Sequence, residues 1–294
     1  ACLDSGFFYV VNHGISEEFM DEVFSQSKRF FDLPIKEKMK LLRNKKHRGY
    51  TPVLDEHLDP INQVHGDYKE GYYIGVEVPD DDSDTEKPFY GPNVWPSTDI
   101  LPGWRQTMEK YHQEALEVAK AIARLIALAL DLGSNFFDQQ EMLGKPIATL
   151  RLLHYEGLIS DPTKGLYGAG AHSDFGLITL LATDDVAGLQ ICKHKDAKPQ
   201  IWEYVAPLKG WVSLALRLLI MERKMSYTQS IEVVFARQYV IHASCWHGPV
   251  IPLQVNTGVN MDLFYIDGLT TYAIELLGGR VGSNTYGGSH LANK

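Results

Sequence analysis

After Pro146 the spacing of apolar residues changes from helical to extended, and that change limits the folds open to the chain. The segment 147-IATLRLLHY-155 reads as a strand, as do 177-LITLLAT-183, 188-GLQIC-192 and 200-QIWEYV-205. Each is a short apolar run, too short for a core helix. Turn signals separate the last three: Asp184-Asp185 ahead of Gly188, then the polar 193-KHKDAKP-199. Several short strands joined in this way predict antiparallel sheet closed as a barrel or jelly roll.

The preceding residues read differently. A buried strand, 7-FFYVV-11, ends at 12-NHG-14, and Ser16 with Glu17 and Glu18 signals a helix start. Phe19, Val23, Phe30 and Phe31 give that helix an apolar stripe. Seven Lys or Arg lie between Lys36 and Arg48, which predicts a solvated helix face and loop, with an anion-attracting patch as the sharper reading. Residues 79–102 hold five of the fourteen prolines and the acidic run 80-DDDSDTE-86, the marks of a long exposed loop. From Thr107 to Leu130, Met108, Tyr111, Ala115, Val118, Ile122, Leu125 and Ala129 recur every three or four residues, a core-facing helix. The fold class is therefore α+β, helices first and a β core after.

With 294 residues, 45% of them hydrophobic, the chain can bury a sizeable core. A net charge of −9 argues against nucleic acid as a partner. Three widely spaced cysteines, Cys2, Cys192 and Cys245, suit a reducing compartment, so the expected location is cytoplasmic. No apolar run reaches the roughly 18 residues of a membrane span, and no membrane partner is expected. The chain opens on Ala1 without a methionine, and a missing N-terminal segment is expected.

Chemistry concentrates in 168-GAGAHSDFG-176. The chain contains four His-x-Asp triplets, at His57–Asp59, His65–Asp67, His172–Asp174 and His194–Asp196. About 1.4 His-x-acid triplets are expected by chance from 11 histidines and 37 acidic residues, so spacing alone says little. Context separates them. His57 and His65 lie in a polar stretch without strand pattern, and His194 lies in a charged hairpin tip. Only His172–Asp174 stands at the mouth of a sheet between Gly168, Gly170 and Gly176. Residues i and i+2 of an extended chain point the same way, so the imidazole and carboxylate can grip one ion while Ser173 faces away. With a distant histidine they would form the facial triad of non-haem iron, which leaves positions open for substrates and O2. A hydrogen-bonded His–Asp pair at a strand start is the plainer alternative.

At these residues the chain resembles the iron(II)- and 2-oxoglutarate-dependent dioxygenases, in their soluble plant-type, isopenicillin N synthase-like branch. The resemblance rests on 5-SGFFYVVNHGI-15, 29-RFFDLPIKEKMK-40, 70-EGYYIG-75, 147-IATLRLLHY-155, 169-AGAHSDFGLITLL-181, 188-GLQI-191 and 207-PLKG-210, in family order. It implies a double-stranded β-helix, a jelly-roll (cupin-like) core with flanking helices. It also implies His172 and Asp174 as metal ligands and Tyr155 as a residue that hydrogen-bonds 2-oxoglutarate. The cofactor is then Fe(II), with 2-oxoglutarate and O2 as co-substrates and ascorbate supportive. The partner is a small organic metabolite, oxidised by hydroxylation, desaturation or ring closure with release of succinate and CO2.

The resemblance fades past residue 210. The family's second histidine falls, by count from His172, at Val233, and its Arg-x-Ser fork falls near 242-HAS-244. His242 and His247 are the substitute candidates for a third ligand, His242 following the strand-like 238-QYVI-241. The segment 211-WVSLALRLLIMERKMSYTQS-230 reads as a helix with Leu214, Leu218 and Met221 on one face. The chain thus divides into an N-terminal dioxygenase region (1–106), a helix with the first part of the jelly-roll core (107–210) and a divergent tail (211–294). A different exon, a retained intron or a faulty gene model accounts for the tail, and the core is expected to be incomplete on that side. The main expectation is an oxygenase. The alternatives are an inactive truncated or spliced homologue acting at most as a binding protein, and a zinc or manganese hydrolase resting on His172 and Asp174 alone.

Overall fold

The computed structural model describes residues 7–139, 143–157, 160–172, 174, 177–194, 197–216, 221–223, 228–236, 253–254 and 260–261. Two units separate, residues 1–240 and 241–294. In the second, a two-stranded antiparallel ladder pairs Leu253 with Met261 and Gln254 with Asn260.

The first unit opens with strand β1 (Phe7–Val10) and helix α1 (Glu17–Phe31). Ser16 caps α1, its Oγ accepting from the Phe19 amide at 3.2 Å, and Glu17 and Glu18 sit in the first turn. Ser16→Ala is expected to lower stability by about 1 kcal/mol, read as a shifted urea midpoint with unchanged slope. A short helix α2 (Ile35–Met39) and strands β2 (Gly49–Thr51) and β3 (Glu70–Gly75) follow. The long helix α3 (Trp104–Ala129) begins ahead of Thr107, where its apolar period starts. Gly103, at φ 79°, makes the left-handed entry that most other residues resist.

Eight strands then build the jelly roll: β4 (Ile147–Tyr155), β5 (Ala169–His172), β6 (Ile178–Thr183), β7 (Leu189–His194), β8 (Ile201–Tyr204), β9 (Val212–Leu216), β10 (Met221–Arg223) and β11 (Thr228–Ala236). They form two sheets. The larger has the order β1-β9-β6-β11-β4-β3-β2, and the smaller β5-β10-β7-β8. One sequence expectation is corrected here. Residues 211–230 form no helix among the described residues but supply β9, β10 and the start of β11. Among the described residues each sheet contains four jelly-roll strands, and β10 is three residues long and slips register against β5. The physical cause is the pairing. β9 is hydrogen-bonded on both edges, to β1 and β6, and β11 lies between β4 and β6. Ladder bonds on two sides outweigh the helical propensity of a Leu-, Ala- and Arg-rich run.

The helices cover one face of the larger sheet. Alternate residues of β4 and β6 (Ala148, Leu150, Leu152, Ile178, Leu180, Ala182) pack with Val23, Phe30, Trp104, Met108 and Tyr111 from α1 and α3. Phe30 meets Tyr72 at 4.6 Å and Trp104 at 5.6 Å between ring centroids. The Trp104 indole donates to the Gln26 carbonyl, joining α3 to α1. The alternate residues Leu153 and Tyr155 lie on the opposite face and pack against Ala169 of β5. Strand β4 thus serves the helical core with one face and the inside of the jelly roll with the other.

The basic run is corrected at two of its seven positions. Lys36, Lys40 and Lys45 are exposed as expected, but Lys38 and Arg48 are buried. Lys38 Nζ lies 3.0 and 2.8 Å from the two Glu70 oxygens and donates to the Phe31 carbonyl at 2.9 Å. Arg48 donates to the carbonyls of Lys46, His47 and Phe89. Burial lowers the Arg48 guanidinium to a pKa of about 10, against the charges of Glu77 and Tyr90.

Candidate metal centre

His172 is the last residue of β5, in the smaller sheet, and Asp174 follows two residues on. The imidazole Nδ1 is 2.8 Å from the Gly170 carbonyl. A carbonyl only accepts, so Nδ1 carries a proton, which leaves Nε2 as the ring atom open to a metal. That Nε2 is 3.4 Å from Asp174 Oδ1. Two donor atoms bound at about 2.1 Å and near right angles to one divalent ion are roughly 3 Å apart, so the observed separation suits a shared ion. Asp174 is 9% exposed and His172 is half-buried, a recessed pair on the strand rim.

Tyr155 ends β4 on the inner face, packed against Ala169 three residues before His172. Its ring is buried, and among the described residues its hydroxyl has no hydrogen-bond partner. A buried hydroxyl left so costs about 1–3 kcal/mol, a cost that a polar ligand would remove.

The structure brings His172 and Asp174 together at the end of β5, while Tyr155 packs against Ala169 at the start of that strand. His242 and His247 lie outside the described residues, as do 242-HAS-244 and Ser173. The position reached by count from His172 is not beside the pair. Val233 is on β11, in register with Leu150 and Leu180 of the larger sheet. The strand bonded to β5 is β10, and the residue in register with His172 is Met221. In register with Tyr155 is Thr228. Neither Met221 nor Thr228 is ionisable.

His154, next to Tyr155, faces the other way. It stacks on Phe31 at 5.2 Å, and its Nδ1 is 2.8 Å from Glu70 Oε1. Glu70, His154 and Glu156 hold ligand-type atoms within 4.8 Å of one another. Glu70 is engaged by Lys38, Tyr50 and His154 together, and the Lys38 ammonium there repels a metal cation. Glu70 is the buried centre of a charge network on the helical side of the sheet, with Glu156 exposed at its margin.

Sequence reasoning missed a second layer behind His172. Asp67 is fully buried, and its Oδ1 accepts from the Gly170 amide at 2.9 Å and from Gln63 Nε2 at 2.7 Å. Lys69 contacts Asp67 and lies 3.0 Å from Glu56, which also takes Arg151 Nη2 at 2.7 Å. Burial pushes the Glu56 carboxyl up, but the charges of Arg151 and Lys69, with hydrogen bonds from Tyr73 and Lys69, hold it well below the usual range. The available signal lies in the other His-x-Asp triplets. His57–Asp59 and His65–Asp67 carry the two aspartates that meet Gly170.

Family models match in two places: residues 1–98 fit the non-haem dioxygenase in morphine synthesis N-terminal region, and residues 147–226 fit the 2OG-Fe(II) oxygenase superfamily. Azadirone synthase LFS of Melia azedarach is 54% identical over 211 residues, covering 71% of this chain and 63% of that protein. Kihadalactone A synthase LFS of Citrus sinensis is 51% identical over the same shares of each. The chain therefore spans less than two thirds of the length of these relatives. Among solved structures, a full-length Neurospora crassa protein in complex with alpha-KG superposes with a TM-score of 0.65 at 27% identity, covering 79% of this chain and 76% of that one.

Proposed function

Because this chain belongs to the 2OG-Fe(II) oxygenase superfamily, we propose that it oxidises a small organic metabolite with Fe(II), 2-oxoglutarate and O2. The observation that carries the reading is the His172–Asp174 pair. Nε2 and Oδ1 lie 3.4 Å apart, with Nδ1 committed to a backbone carbonyl. Such a second bond fixes tautomer and ring direction in metal-binding histidines. His172 and Asp174 would hold the metal. Tyr155 would give its buried hydroxyl to 2-oxoglutarate. Bound iron would activate O2, the four-electron oxidant, which takes two electrons from 2-oxoglutarate as it becomes succinate and CO2 and two from the metabolite.

The chain's own residues orient and seal. Leu153, Tyr155 and Ala169 pack together as a small apolar cluster on the inner face of β4, and excluding water would strengthen each polar contact of a ligand bound there. The third ligand is unassigned, with His242 kept as the candidate. The printed names of the plant relatives, azadirone synthase and kihadalactone A synthase, support a small metabolite as substrate. No helix among the described residues is long and apolar enough to cross a membrane. The few cysteines support a cytoplasmic setting.

The test is succinate formation by the purified chain supplied with Fe(II), 2-oxoglutarate, O2 and ascorbate. Slow turnover above a metal-free control, even without an added metabolite, is the expected result. No succinate, together with no binding of Fe(II) or Co(II), would overturn the reading.

A further inference from the structure

We propose that Asp67 is the positioning residue of the metal centre. It fixes Gly170, and Gly170 fixes the imidazole of His172. This rests on the functional reading above for the identity of the metal, but not for the chain of contacts.

The contacts run without a break through one residue. The Gly170 N–H donates to Asp67 Oδ1 at 2.9 Å, and the Gly170 carbonyl accepts from His172 Nδ1 at 2.8 Å. Glycine must occupy this position. A Cβ there would stand 2.4 Å from Gln63 Oε1, 2.8 Å from the Asp59 amide nitrogen and 2.9 Å from Asp59 Cβ. The same residue is therefore the most rotationally free in the strand, and its carbonyl direction needs an external anchor. The buried Asp67 carboxylate provides it.

Asp67 is itself held from several sides. Gln63 Nε2 donates to Oδ1 at 2.7 Å, and Gln63 Oε1 accepts from the Asp59 amide at 2.6 Å. Lys69 engages Oδ2 and links it to Glu56 and, through Glu56, to Arg151 of β4. The surrounding loop is laced to the approach to β5. The Val64 amide bonds the Gly165 carbonyl at 3.1 Å, and the Tyr68 amide bonds the Tyr167 carbonyl at 2.9 Å. The segment from Asp59 to Lys69 thus forms a splint for the strand that ends in His172. A charge-assisted bond from a buried carboxylate to an amide is short and directional, and partners one shell behind a ligand typically alter metal affinity about 10–100-fold.

The experiment reads metal affinity and histidine tautomer, not turnover. Co(II) is titrated into the full chain and into Asp67→Ala and Asp67→Asn, following visible absorbance. In parallel, 15N spectra of ring-labelled histidine are recorded without metal. Wild type should show His172 fixed as the Nδ1–H tautomer before any metal is added. Asp67→Ala should bind Co(II) about tenfold more weakly and show His172 exchanging between tautomers. Should Asp67→Ala fail to fold, Asp67→Asn carries the test. Its amide oxygen can still accept from Gly170, but Lys69 loses its ionic partner, so affinity should fall about threefold, short of the full loss of the contact, and the tautomer should be only partly released. Unchanged affinity and an unchanged tautomer in the folded variants would overturn the assignment to Asp67. If wild type binds no Co(II), the metal reading fails, while the metal-free tautomer comparison still decides the role of Asp67.

Discussion

Asp174→Ala is expected to abolish succinate formation and to weaken Co(II) or Fe(II) binding by on the order of 100-fold or more. The carboxylate supplies one of the two donor atoms that the described residues bring together, and the only negative charge of the pair. Removing it leaves a neutral imidazole, which holds a divalent ion poorly alone. His172→Ala should lose binding similarly, whereas Asp174→Glu should retain part of it, because the same group arrives one methylene too far. Equilibrium metal titration separates these outcomes from misfolding if melting is followed on the same samples. Asp174 is at the strand rim and outside the helical core, so its removal should move the melting temperature little. Binding as tight as wild type in both alanine variants would dissociate the His-x-Asp pair from the metal.

The second large effect is expected on stability. Glu70→Ala should cost about 3–5 kcal/mol, because it leaves the buried Lys38 ammonium without its carboxylate and strips partners from Tyr50 and His154. Replacing both partners by apolar residues, Lys38→Met with Glu70→Leu, should recover much of that loss, since an apolar pair carries no desolvation cost. Urea denaturation of the three variants tests the contrast. A double variant as unstable as Glu70→Ala would show that packing, not charge, is at issue. The pair also sets an acid limit. Burial pushes the Glu70 carboxyl up, but hydrogen bonds from His154, Lys38 and Tyr50, with the Lys38 charge, more than offset it, and its pKa falls below the ordinary carboxyl value of 4.5. In the window below 4.5 the unfolded chain therefore binds more protons than the folded one. The contribution of Glu70 is fully present at neutral pH and drains away as pH falls through that window. Glu70→Gln should flatten the acid side of the stability curve.

The parts legible in the sequence are those governed by local period. The extended apolar run 147–155 foretold strand β4, and the stripe on Thr107–Leu130 foretold α3, although Leu125 and Ala129 of that stripe are exposed. The His172–Asp174 pair stood out because a glycine-flanked His-x-Asp at a strand mouth is a local pattern, whereas Tyr155 entered only through the family resemblance. The errors share one physical origin, partners far away in the chain. The Leu- and Arg-rich residues after Trp211 have helical spacing. They become strands because β1, β6 and β4 offer unfilled hydrogen-bond edges. Lys38 reads as surface charge until Glu70 neutralises it from 32 positions away. Asp67 reads as a loop residue until Gly170 meets it from 103 positions away. A polar residue declares itself buried only through its partner, and no window of sequence contains both.

The pairing of the first strand with β9 bears on how the chain is made. Phe7–Val10 bonds Val212–Ala215, so an apolar edge leaves the ribosome long before its mate exists. At synthesis rates of about 5–20 residues per second, the gap of some two hundred residues lasts roughly 10–40 s. During that interval FFYV is an unpaired, sticky ribbon, the sort of segment that aggregates or recruits a chaperone. Expression yield in a host should therefore depend on holding that nascent end apart from its neighbours until translation has passed Leu216.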